Sequence, residues 1–130
     1  MLLGNYFKNI KKSYKKFYFS DISFNSSQIK KNNIFFAIRG NKIDGNNYIS
    51  SAIKNGAKII ITEDNTEGLK NNILYIKVKK IRKLLSEISF KINNTRPNNI
   101  IAVTGTNGKS SVADFYYQIL NLNNIKVASI

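Results

Sequence analysis

The run Gly105-Thr106-Asn107-Gly108-Lys109-Ser110 gathers the residue types that can hold a triphosphate. Glycines let backbone amides approach phosphate oxygens with no Cβ in the way. The first turn of a following helix would add unpaired N–H groups and the positive end of its dipole. Lys109 is then placed to reach the β and γ phosphates, and the Ser110 hydroxyl to ligate Mg²⁺. The general form of such a loop has a further glycine five positions before Gly108, where this chain has Val103. The string is therefore a shortened Gly-x-x-Gly-Lys-Ser, less specific by itself, and a tight strand-to-helix turn that contains Lys-Ser is the competing reading.

The flanking elements decide between the two. Residues 100–103 are apolar and predict a strand that ends at the loop. Val112, Phe115, Tyr116, Ile119 and Leu120 give residues 110–122 one apolar helical face, and a further strand is expected over 126–130. That is the setting in which a glycine loop can wrap phosphates. The rest of the chain leads up to it. A short amphipathic helix is expected over 2–10, a strand over 17–24 and a polar loop over 25–33. The continuous apolar run 34–38 predicts a strand covered on both faces. Turn residues fill 40–47, and Asp44-Gly45 is read as a turn rather than a contact. A short helix over 48–55 would close at Gly56. Strands are expected over 58–62 and 73–78, separated by a polar loop over 63–72. Ile81, Leu84, Leu85, Ile88 and Ile92 recur with the period of a helix that buries one face. The only proline, Pro97, lies in a polar stretch over 93–99 that reads as a linker. The fold class is α/β, with one small domain over 1–96 and, over 97–130, the strand, loop, helix and strand that open another. That second piece is too small to bury both faces of a sheet.

Composition removes several chemistries. The chain has no Cys and no His, so disulfides, thiolate metal sites and imidazole bases are excluded. The net charge of +14 would suit a nucleic-acid surface, but only three of the 21 basic residues are Arg (Arg39, Arg82, Arg96). The lysines are also scattered rather than striped, which points to biased composition and to no specific nucleic-acid partner. No apolar run approaches the roughly 20 residues needed to span a bilayer. Lysines follow a brief apolar opening rather than precede a long one, unlike a secretory signal. A cytoplasmic protein with no membrane partner is expected.

The run Ile101-Ala102-Val103-Thr104-Gly105-Thr106-Asn107-Gly108-Lys109-Ser110-Ser111 resembles the ATP loop of Mur ligases, a loop that folylpolyglutamate synthases share. Upstream, Ile34-Phe35-Phe36-Ala37-Ile38-Arg39-Gly40, Asp44-Gly45, Tyr48-Ile49, Ala52-Ile53 and Gly56-Ala57 resemble the UDP-sugar-binding domain that precedes that loop in some Mur ligases. That arrangement belongs to the ligases that add the third residue or the terminal dipeptide of the peptidoglycan stem. Asn107 looks more like the third-residue enzymes, which add diaminopimelate or lysine.

The resemblance implies a small N-terminal UDP-sugar-binding domain followed by the truncated start of a P-loop ATPase domain. It implies ATP held by Gly105, Thr106, Asn107, Gly108, Lys109, Ser110 and Ser111, with Mg²⁺ on Ser110 and Lys109 as the catalytic cation. UDP-N-acetylmuramoyl-dipeptide would lie against Phe24, Ser26, Asn41, Lys42 and Ile43. An Asp-Ser-Arg motif of the family corresponds here to Asn25-Ser26-Ser27, which keeps the serine and lacks the fixed donor fork of the arginine. The implied reaction passes through an acyl phosphate to an amide. These residues would be the N-terminal part of a ligase, inactive alone and monomeric at full length; a stand-alone UDP-sugar or nucleotide-binding module is the alternative.

Overall fold

The computed structural model describes residues 1–93 and 97–129. The chain divides into two compact units, Met1–Arg96 and Pro97–Ile130. The linker expected over 93–99 falls partly on 94–96, and the last strand ends on residue 130; those positions lie outside the described residues.

In the first unit, the apolar runs that offer no polar face become the middle of one sheet. Its strands are β1 (Ile22–Ser23), β2 (Ile34–Phe36), β3 (Ile59–Thr62), β4 (Gly68–Lys70) and β5 (Ile73–Lys77), in the order β1-β2-β3-β5-β4. The first four neighbours in that order are parallel, and only β4 runs antiparallel, against β5. Every residue of β2 and β3 is buried, as expected for strands packed on both sides.

Strand alternation distributes these side chains between two cores. Ile34, Phe36, Ile59, Ile61, Leu74 and Ile76 face the N-terminal segment and α3 (Ile81–Ile92), where Leu3, Phe7, Phe19 and Ile88 complete the core. Phe35, Ala37, Ile60 and Ile73 face α2 (Ile49–Lys54), against Ala52 and Ile29. Full burial of each large aliphatic contributes about 1.5–3 kcal/mol, so the two cores dominate the stability of this unit.

The period read for residues 81–92 matches α3 at both ends. Its N-cap, Lys80, supplies no side-chain acceptor. Glu63 takes that role from the end of β3, with Oε1 accepting from the Ile81 N–H at 2.9 Å. The carboxylate also sits at the positive end of the helix dipole. Gly56 ends the turn after α2 with φ 112°, and a Cβ there would come within 2.9 Å of the Lys31 Cα.

Several sequence expectations are corrected. The helix expected over 2–10 is only α1 (Leu3–Tyr6). Here the chain doubles back, with the Leu3 N–H donating to Phe17 O at 2.8 Å and the Phe19 N–H to Met1 O at 2.9 Å. The same pairing consumes most of the strand expected over 17–24, leaving β1. The polar loop over 63–72 hides β4. Asn71 and Asn72, at φ 48° and 61°, make its two-residue turn into β5, and positive φ at both positions is what such hairpin turns require.

In the second unit, α4 (Lys109–Leu122) forms where the apolar period placed it. The strands expected over 100–103 and 126–130 do not form among the described residues 97–129. A strand is defined by its ladder, and an extended segment with no neighbour to bond remains an extended segment. The apolar face of α4 is accordingly exposed, with Phe115 at 63% and Ile119 at 58%. No helix among the described residues is long and apolar enough to cross a membrane.

Candidate functional site

Because β1 and β2 are parallel, the segments that follow them emerge at the same edge of the sheet. Those segments carry the upstream residues singled out from the sequence. They border an open cleft of about 710 Å³ within the first unit. Phe24, Asn25 and Ser26 line it from the end of β1; Ile38, Gly40, Ile43 and Tyr48 line it from the end of β2. Arg82, Leu85 and Ser86 close it from α3. Clefts at the carboxyl ends of parallel strands are the usual ligand sites of α/β sheets.

Each wall is held by local chemistry. The Asn25 side chain accepts from the Ser27 N–H at 3.0 Å and caps a 3₁₀ turn, Ser26–Gln28. Across from it, residues 39–44 form a tight hairpin in which Arg39 bridges Asp44 and the Gly40 N–H donates to Ile43 O at 2.8 Å. Asp44 then caps the turn Gly45–Tyr48, with Oδ1 accepting from the Asn46 N–H at 2.9 Å. Asn46 is tied in turn to β3, its Oδ1 accepting from Thr62 Oγ1 at 3.0 Å.

Charge in this wall is mostly paired. Arg39 Nε lies 2.9 Å from Asp44 Oδ2, and its NH2 lies 3.5 Å from Asp64 Oδ1. The Asn46 backbone N–H holds the Asp44 carboxyl below the usual range; burial opposes this and Arg39 reinforces it. Its hydrogen bond and charge attraction to Asp44 hold the Arg39 guanidinium above its usual value.

Of the substrate residues expected from the sequence, Phe24, Ser26 and Ile43 border the cleft. Asn41 and Lys42 are exposed at the hairpin tip and are not among its lining residues. Sequence reasoning missed Tyr48, Arg82, Leu85 and Ser86. Nothing in a helical period says which exposed residue of α3 will face a loop forty positions earlier in the chain.

The glycine loop belongs to the second unit. Gly108 is the N-cap of α4 at φ 74°, in the left-handed region, and offers no side-chain acceptor to the first turn. The N–H groups of that turn are the ones an α-helix leaves without partners. A Cβ at Gly108 would meet nothing within 4 Å, so the space before the helix is open. Lys109 Nζ donates to the Gly105 carbonyl and, at 3.3 Å, to the Thr106 carbonyl, which folds the ammonium over its own loop. The seven residues 105–111 are all exposed. Amides, ammonium and hydroxyl thus gather at one helix start, a donor set that fits an anionic phosphate chain. Among the described residues there is no group of three or more His, Cys, Asp or Glu side chains that could hold a metal ion.

Residues 19–91 match the Mur ligase family, catalytic domain. Over 122 residues the chain is 37% identical to a UDP-N-acetylmuramoyl-L-alanyl-D-glutamate--2,6-diaminopimelate ligase of Rickettsia prowazekii, covering 94% of this chain and 25% of that protein. A ligase of the same name from Fusobacterium nucleatum is 44% identical over 95 residues, covering 72% and 19%. The chain therefore spans about a quarter or less of the length of these relatives. A solved structure of a diaminopimelate ligase of this name shares the fold at TM-score 0.68 and 21% identity, covering 95% of this chain and 26% of that one. The MurF ligase of Thermotoga maritima in complex with ADP aligns at TM-score 0.59 and 25% identity, covering 78% and 23%.

Proposed function

The chain belongs to the Mur ligase family, and we propose from this that it supplies the UDP-binding cleft and the ATP loop of an ATP-dependent amide-forming ligase of peptidoglycan precursor synthesis. The substrate is UDP-N-acetylmuramoyl-L-alanyl-D-glutamate, and the residue added is the third of the stem, diaminopimelate. The names carried by the curated relatives favour this over addition of the terminal dipeptide. The whole reaction is located in the cytoplasm, where nucleotide-linked precursors and ATP are found together.

The observation that carries the reading is the cleft at the carboxyl end of β1 and β2, bordered by Phe24, Ser26 and Ile43. Phe24 is 66% exposed, a large aromatic face left open to solvent and suited to stacking on a base. Ser26 offers a hydroxyl beside it. The domain over 1–96 holds the uridine end, and the segment over 97–130 holds the triphosphate. Gly105, Thr106, Asn107 and Gly108 present backbone amides to it, and Lys109 exchanges its loop carbonyls for phosphate oxygens. Ser110 ligates Mg²⁺, and Ser111 stands in the same first turn. When bound, ATP with Mg²⁺ supplies the phosphoryl group that activates the substrate carboxylate for amide formation. Residues 1–130 by themselves bind both ligands and form no amide bond.

Titration calorimetry with UDP tests the cleft. Saturable binding is expected, weakened about tenfold by Phe24→Ala through loss of the stacking face. An absence of UDP binding, or an unchanged affinity in the variant, would overturn the assignment of the cleft.

A further inference from the structure

Among the described residues, the cleft has one charged side chain in its wall. Phe24, Ile43, Tyr48 and Leu85 give it apolar and aromatic surface, Ser26 and Ser86 give hydroxyls, and of the described lining residues Arg82 alone carries a charge. The other arginine of this region, Arg39, is neutralised by Asp44 and Asp64. Arg82 differs. Among the described residues it has no carboxylate within ion-pair distance; its recorded bond is from NH2 to the Arg39 carbonyl at 3.2 Å. Glu63, at the start of the same helix, is engaged with the Ile81 N–H. Lys83 and Glu87, on the helix beside it, face each other at 3.9 Å.

That single carbonyl bond positions the guanidinium without cancelling its charge. The remaining donors of the planar fork match the oxygens of a phosphate and can engage two at once. An apolar, aromatic-walled cleft with one uncompensated fork suits a ligand that is flat and apolar at one end and anionic at the other. Resting on the reading of this cleft as the UDP site, we propose that Arg82 holds the diphosphate of the bound nucleotide diphosphate. It thereby supplies from α3 the cationic fork that Asn25-Ser26-Ser27 does not carry.

UDP titrations of the 130-residue chain at low and high salt test the assignment, with Arg82→Gln and Arg82→Lys compared to the unmodified protein. The loss of a charge-assisted contact should weaken UDP about 10- to 100-fold in Arg82→Gln. It should also flatten the fall of affinity with salt, since one fewer phosphate charge is neutralised. Arg82→Lys, with the charge kept and the fork lost, should bind between the two and retain the salt dependence. An unchanged affinity in Arg82→Gln would overturn the proposal. So would a weaker affinity with the salt dependence intact, because Arg82 would then act only by holding the Arg39 loop. Failure of the unmodified chain to bind UDP would instead remove the reading of the cleft itself.

Discussion

Replacement of Gly45 by alanine would test whether the cleft wall is as closely built as its backbone contacts require. A Cβ at residue 45 would lie 2.6 Å from both the nitrogen and the oxygen of Ile38, and 2.9 Å from the carbonyl carbon of Ala37. These are backbone atoms next to β2, and the Ala37 N–H is itself bonded to Ile61 O at 2.9 Å. They cannot retreat without loosening the centre of the sheet. The hairpin must move instead, until the new methyl reaches ordinary contact at 3.4–4 Å. That movement breaks the bond from the Gly45 N–H to Ile38 O and pulls Asn46 away from Thr62. Overpacking of this kind costs about 1–3 kcal/mol and one lost hydrogen bond about 0.5–1.5 kcal/mol, so about 2–4 kcal/mol is expected in all. In a domain of roughly 100 residues, each kcal/mol lowers the midpoint by about 4–8 °C, and the melt should fall by about 10–25 °C. Thermal melting followed by far-ultraviolet circular dichroism reads this directly. Gly108→Ala is the reference, because a Cβ there meets nothing and the cost is only that of left-handed backbone, about 1–2 kcal/mol. A Gly45→Ala melt within about 2 °C of the unmodified protein would refute the reasoning.

Asp44 titrates below the usual range in the folded chain, so its stabilisation is complete above the unfolded carboxylate value and is lost as pH falls through the folded one. Asp44→Asn keeps an acceptor for the Asn46 N–H and removes the titration. Urea midpoints should favour the unmodified chain at neutral pH and converge below about pH 4, whereas a gap constant across pH would argue against the ion pair. Ile88→Ala empties a fully buried position on α3 and should cost about 2–5 kcal/mol in urea unfolding; a loss near zero would mean that α3 does not pack as described. Asn72→Gly relieves a non-glycine residue at φ 61° and should leave stability unchanged or raised by a few tenths of a kcal/mol, while Asn72→Val should lower it by about 1–2 kcal/mol. Lys109→Ala should weaken ATP binding about tenfold or more without moving the melt of the first unit, and intact ATP affinity would remove the loop from the nucleotide site.

Much of the fold was legible because burial leaves a direct mark on residue type. Ile34-Phe35-Phe36 and Ile59-Ile60-Ile61 lack a polar face, so they had to be central strands, and they are. The spacing from Ile81 to Ile92 reads as a helix with one buried face, and α3 spans those residues. The hidden strand β4 was missed because Gly68-Leu69-Lys70 is an edge with little apolar content, exposed along most of its length. Its one signal was the Asn71-Asn72 pair, which tolerates left-handed backbone.

By itself, then, the sequence determined the α/β class, the helix that follows the glycine loop and the segments that border the cleft, since these depend on local composition and spacing. Only the tertiary structure decided how those segments meet. Pairing of residues 17–19 with the N-terminal segment shortened both the expected helix and the expected strand. The parallel register of β1 and β2 brought Phe24 and Ile43 to one cleft. The packing of α3 turned Arg82 toward it, next to the Arg39 carbonyl. Such meetings are set by which distant backbone bonds form and which surfaces are buried together, and no local pattern encodes either.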